Sequence, residues 1–188
     1  MRKLQIARSG YTVMSAVFYL AAGLCLFFPA IPPLAACWFS GVSLIAYGVI
    51  KIIGYFSEDL FCLAFRYDLA FGLLLLAAGA LLFIRREPAF PYLSTGIGWL
   101  ALLDGVLKVQ MSEEARKFGL EKWNVISATA VTTSALGAFL IIKGAVGPEA
   151  PRLLTALVLA SAGTMNYCVI RYAVRQAEGT SLEKKSTI

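Results

Sequence analysis

Apolar residues run along this chain in six long blocks, separated by short clusters of proline, glycine and charge. The blocks cover residues 11–28, 34–56, 67–84, 92–109, 124–146 and 152–175. Their ends are marked by Pro29, by the Pro32–Pro33 turn, by Arg85-Arg86-Glu87-Pro88 and by Gly147-Pro148. A hydrocarbon layer of ~30 Å at 1.5 Å per residue needs about 20 apolar residues in a helix. The pattern therefore predicts six transmembrane helices in a single membrane domain over residues 1–188, with a tail at 176–188.

Composition agrees. The chain is 59% hydrophobic and 15% charged, where soluble domains average about 45–50% and 25%. This excludes a soluble protein, and it excludes disorder, which needs low hydrophobicity and high charge. The first apolar block follows Arg2, Lys3 and Arg8, yet it is too long for a signal-peptide core and has no A-x-A site before Pro29. It reads as a retained helix.

Orientation follows from the cations. Thirteen of the 17 lysines and arginines fall on the side of the two termini and the second and fourth connections. The other four are Arg85, Arg86, Lys143 and Arg152. The asymmetry predicts cytoplasmic termini in a bacterial inner or plasma membrane. The net charge of +6 then reads as topology and as affinity for anionic lipids at the cytoplasmic face, and nucleic acid is excluded as a partner. Beyond the bilayer itself, a homo-oligomer is compatible with such a chain. On the cytoplasmic side, Ser57-Glu58-Asp59 and Ser112-Glu113-Glu114 look like helix starts, with a capping hydroxyl followed by acids. Tyr11, Tyr55, Tyr67, Trp123 and Tyr172 are expected at the inner interface, and Trp38 and Tyr92 at the outer one.

The even-numbered blocks repeat a motif. Gly41 precedes Tyr47-Gly48-Val49-Ile50-Lys51, Gly98 precedes Asp104-Gly105-Val106-Leu107-Lys108, and Ser161 precedes Tyr167-Cys168-Val169-Ile170-Arg171. The odd blocks match as well, with Gly23 before Pro29, Gly79 before Pro88 and Gly137 before Pro148. The unit is a helical hairpin. Three hairpins entering from one side predict an all-α bundle with a pseudo-threefold axis along the membrane normal. Small residues let helices approach closely inside lipid, so Gly23, Gly48, Gly79, Gly98, Gly105 and Gly137 are expected at helix contacts. Ala156, Ala160, Thr164 and Cys168 form one small face, and Ala130, Ser134 and Ala138 another.

With six spans, Ala21-Ala22-Gly23…Pro29, Tyr47-Gly48-Val49-Ile50-Lys51, their second copy at Gly79…Pro88 and Asp104-Gly105-Val106-Leu107-Lys108, and the segment Ala115-Arg116-Lys117-Phe118-Gly119-Leu120-Glu121-Lys122-Trp123, the chain resembles the HdeD-like family of short-repeat bacterial membrane proteins. The third copy departs from the pattern at Cys168 and Arg171. The resemblance implies a bacterial inner membrane and, from the family's namesake, a link to acid resistance and envelope stress. It implies no reaction and no catalytic residues.

Asp104 is the one carboxylate expected well inside a span. Such a residue costs about 2.5–3.5 kcal/mol at mid-bilayer on insertion scales. Lys108 stands one helical turn on, so the two either pair structurally or take part in moving a proton or solute. Lys51, Lys108 and Arg171 are either helix-end anchors or a ring of cations around the threefold axis. Asn166 and Tyr167 are expected to hydrogen-bond between helices or to line a polar pocket. Cys25, Cys37, Cys62 and Cys168 have no metal spacing and read as small hydrophobes. The chain has no histidine and no phosphate loop, nucleophile elbow or H-E-x-x-H motif. No metal, cofactor or catalytic residue is expected, and the function expected is non-enzymatic. The rivals are a small-solute or ion transporter or channel and a membrane scaffold or lipid-interacting protein.

Overall fold

The computed structural model describes residues 2–28, 32–56, 68–85, 92–117, 119, 122–146 and 152–174. Among them are six α-helices and no strand: α1 (Arg2–Phe27), α2 (Pro33–Tyr55), α3 (Asp68–Ile84), α4 (Leu93–Lys117), α5 (Trp123–Val146) and α6 (Arg152–Val169). A π-helical turn, Ile170–Val174, continues α6. The chain is an all-helical membrane bundle. Four helices are long and apolar enough to span a membrane: α1, α2, α5 and α6 with its continuation. The 17-residue α3 is apolar but shorter, and α4 carries Asp104 and Lys108 within its apolar run.

Most helix ends lie within two residues of the block boundaries, with two departures. Helix α1 begins at Arg2, and α4 runs on to Lys117. Ser112 therefore does not start a helix. It lies inside α4, and its hydroxyl donates to the Val109 carbonyl at 2.7 Å, the local back-bond open to a mid-helix serine. The turn into α5 uses Gly119 in the left-handed region, at φ 76°, a conformation without steric penalty in glycine. The Ser57-Glu58-Asp59 segment, Tyr67, Cys62 and the tail at 176–188 lie outside the described residues.

The closest helix pairs are α2 with α3, α4 with α5, and α6 with α1. Each joins the second helix of one hairpin to the first helix of the next, so packing is tightest between repeats. The contacts explain why. A β-carbon on Gly48 would lie 2.8 Å from the Gly72 carbonyl oxygen, and one on Gly79 3.0 Å from that of Gly41. In the α4–α5 pair, Gly98 and Gly137 face each other's carbonyls at 3.0 and 2.8 Å, and Gly105 faces that of Ala130 at 2.8 Å. Along each of these seams the small residues recur every seven positions, the period that keeps one face toward a left-handed partner. In the third pair, Gly163 lies against the Ser15 carbonyl. Gly23 departs from the expectation: it is half-buried, but nothing lies near its missing β-carbon, so no close helix approach depends on its being glycine.

The cyclic order is broken at one place. Helices α1 and α2 touch, as do α5 and α6, whereas α3 and α4 scarcely approach each other. The molecule thus resembles an open book. One cover is α1–α2–α3, the other is α4–α5–α6, and α1 with α6 forms the spine. Helix α6 is the most enclosed, with 61% of its span buried against 28% or less for α1, α2 and α5. One apolar core, built from Ala101, Leu140, Leu154 and Val158, seals the second cover. The other gathers Met14, Phe71, Leu75, Met111, Ile126 and Val169 with Tyr11 and Tyr47. It lies toward the end of the bundle where α1 begins and α2 finishes, here the proximal end.

Candidate functional site: a buried ion network beside an apolar cleft

At the proximal end four charges of opposite sign are buried together. Lys51, in the last two turns of α2, is 0% exposed. Its Nζ lies 2.7 Å from Asp68 Oδ1 and 3.2 Å from Asp104 Oδ1. Lys108 Nζ lies 2.9 Å from the same Asp104 oxygen, one turn further along α4. Two cations and two carboxylates balance. This matters because a lone buried charge is far more costly than a compensated and hydrogen-bonded one.

Local structure places each member. Asp68 is the first residue of α3, where the free amide groups and the helix dipole favour a negative charge. Asp104 and Lys108 share a helix face by their four-residue spacing. Lys51 stands over the rings of Tyr11, Tyr47 and Phe71, at 5.3, 4.9 and 5.1 Å from their centroids. Three aromatic faces thus shield the ammonium while the two carboxylates neutralise it.

Two tyrosines complete the network. The Tyr11 hydroxyl donates to Asp68 Oδ2, and it also accepts from Lys51 Nζ at 3.3 Å. The Tyr47 hydroxyl lies 3.4 Å from Asp104 Oδ2 and 2.9 Å from Asn166 Oδ1. A phenol has one hydrogen and cannot donate to both. Asn166 Nδ2 is meanwhile buried without a partner. Turning the Asn166 amide over removes the conflict at the phenol: Nδ2 then donates to the phenol oxygen, which donates to Asp104.

Above this network, between the covers, lies a cavity of about 1250 Å³. Its wall is almost wholly apolar, with Leu24, Leu74, Leu81, Ile97 and Leu100 among the lining residues. Tyr47, Phe71 and Asp104 form its floor. Phe28, Arg85, Tyr92 and Arg152 ring it at the other, distal end. The Lys51–Asp104 pair joins α2 to α4 across the floor. Together with the Tyr47 hydroxyl, which reaches Asp104 and Asn166, it latches the two covers at the proximal end.

Lys51, Asp104, Lys108 and Asn166, each expected from sequence, thus converge. Arg171 and Tyr167 do not join them. Both are exposed, and Arg171 donates to the Tyr167 hydroxyl at 3.2 Å, one turn away on the same helix. The three cations therefore do not form a ring, and the π-helical turn at Ile170–Val174 alters the register there. Tyr11, expected at the interface, is 1% exposed and belongs to the network. Sequence reasoning passed over Asp68 at the edge of its span. A signal was present: Tyr11 and Asp68, like Tyr47 and Asp104, are 57 positions apart, which is the repeat period.

In comparison with known proteins, a family model described as a short repeat of unknown function (DUF308) matches residues 13–84, from within α1 to the end of α3. No curated protein and no solved structure matches the chain.

Proposed function

We propose that the chain is a non-enzymatic membrane protein of the HdeD-like type. Its molecular task is to hold a membrane lipid in the cleft between α3 and α4. The observation that carries this reading is the cavity, about 1250 Å³ in volume, apolar and open between two helices that do not seal. Pockets for drug-sized ligands reach roughly 300–1,000 Å³, so the space suits a larger, chain-like apolar molecule. The test is native mass spectrometry after extensive detergent washing. The wild-type protein is expected to keep at least one phospholipid that washing does not strip, and a lipid-free protein overturns the reading.

The cation asymmetry supports a bacterial inner membrane with both termini in the cytoplasm, and anionic lipids gathered along that face. Reporter fusions at each end test this, and an extracytoplasmic signal from either terminus reverses the orientation. The resemblance of both hairpin copies to the HdeD-like family supports a role in envelope or acid-stress tolerance. A deletion strain is expected to acidify and lose viability after an acid shift, with rescue by the wild-type gene. Unchanged survival removes the stress role.

One observation favours transport as a second reading: Asp104 belongs both to the cavity floor and to the ion network. Solute flux in proteoliposomes that Asp104→Asn abolishes supports it, and flux equal to that of empty vesicles excludes it.

A further inference from the structure

The cavity has charge at two heights. Among the described residues lining it, the charged ones are Asp104, Arg85 and Arg152. Asp104, at the floor, is already engaged by Lys51 and Lys108. Arg85 and Arg152 stand at the opposite mouth, just past the end of α3 and at the start of α6, and both are exposed. Tyr92 stands at the same mouth, an amphipathic ring of the kind that favours the headgroup level.

The depth of the cavity is informative. Along α4 it runs from Tyr92 to Asp104, twelve residues at 1.5 Å each, or ~18 Å. One leaflet contributes half of a hydrocarbon core of ~30 Å, about 15 Å. The apolar wall is thus one leaflet deep. It starts at two guanidiniums and stops at a network that is already neutral and needs no polar group from a ligand.

Resting on the lipid-holding reading above, the geometry points to an anionic phospholipid of the distal leaflet as the occupant, its phosphate held by Arg85 and Arg152 and its acyl tail lying along α4 toward Tyr47 and Asp104. Guanidinium groups match phosphate oxygens in shape as well as charge. A headgroup with net negative charge leaves less of the arginine charge uncompensated than a zwitterionic one. The tail fills the seam that α3 and α4 leave open.

The full-length protein is presented in detergent with equimolar phosphatidylglycerol and phosphatidylcholine of identical chains, and retained lipid is counted by native mass spectrometry. Wild type is expected to prefer phosphatidylglycerol several-fold. The double variant Arg85→Gln/Arg152→Gln should lose the preference and still retain lipid, and Arg85→Glu/Arg152→Glu should reverse it. Gly96 lines the cavity with open space at its missing β-carbon, so Gly96→Phe should exclude both lipids from a folded protein. Ala78→Leu, on the facing helix, repeats that test if the first variant misfolds. Equal retention of both lipids by wild type overturns the headgroup assignment and leaves the lipid-holding reading standing. Undiminished retention by cavity-filled variants overturns both, because the lipid then sits elsewhere.

Discussion

Tyr47 reaches Asp104 across the floor of the cleft, and the two residues occupy the same place in successive copies of the repeat, 57 positions apart. Tyr11 and Asp68 are related in the same way and by the same spacing. The first copy supplies two phenols and an amine, and the second supplies two carboxylates and an amine at the corresponding sites. Three polar positions recur in each of these two hairpins, and the side chains they carry in one copy are complementary to those in the other. The result is one network that ties α1, α2 and α6 to α3 and α4.

Lys51 is expected to be the most sensitive position in the network. Replacing it with Met leaves Asp68 without its cation and Asp104 with Lys108 alone, and breaking a buried pair costs about 3–5 kcal/mol. Lys108→Met should cost less, because Lys51 still contacts Asp104. Adding Asp68→Asn to Lys51→Met should recover part of the loss, since the two residues share one interaction. Denaturant titration in detergent measures all three.

Tyr47→Phe removes the donor to Asp104 and the partner of Asn166 together. The expected loss is about 1–3 kcal/mol, the range for leaving a buried polar group unsatisfied. Asn166→Leu should cost less in the Tyr47→Phe background than in wild type. A double-mutant cycle that closes additively contradicts the shared hydroxyl described here.

The glycines should separate sharply. Gly105→Ala forces a β-carbon to within 2.8 Å of the Ala130 carbonyl, where neither backbone has room to yield. A large fall in melting temperature is expected, from overpacking of about 1–3 kcal/mol or more. Gly23→Ala meets open space and should be neutral or slightly stabilising, because alanine is the better helix former by about 1 kcal/mol.

Cys25 lines the cleft, whereas Cys37 is buried at 1% exposure. In single-cysteine variants, an apolar maleimide should label Cys25 faster than Cys37. Asp104→Asn weakens the latch between α2 and α4, so labelling of Cys25 should accelerate several-fold. An unchanged rate means that the covers are held elsewhere.

Much of this architecture was legible in the chain. Six apolar blocks announce six helices because hydropathy reports burial in lipid directly. The Asp104–Lys108 pair is also visible, since four-residue spacing on a helix fixes a shared face. What sequence withholds is which helices are neighbours. Lys51 looked like an anchor because nothing near it in the chain reveals that α3 delivers Asp68 beside it. Arg171 looked equivalent to Lys51 and Lys108 because a repeat aligns positions, while the π-helical turn and the exposure of that face are set by packing. The open seam was hidden for the same reason: hairpin repeats suggest closure, and only three-dimensional contacts show where it fails.

The pairing of charges also sets an order of assembly. As helices enter the bilayer in sequence, α2 brings Lys51 alone, and α3 then brings Asp68, its partner at 2.7 Å. The next helix arrives with Asp104 and Lys108 already one turn apart. Within the buried network the charges stay balanced from α3 onward, because α4 brings one carboxylate and one amine together and α5 and α6 add no charge to it. Of the network's four charges, Lys51 alone lies a helix ahead of its partner in the chain, so in helix-by-helix insertion it is the one that waits, from the second helix until the third.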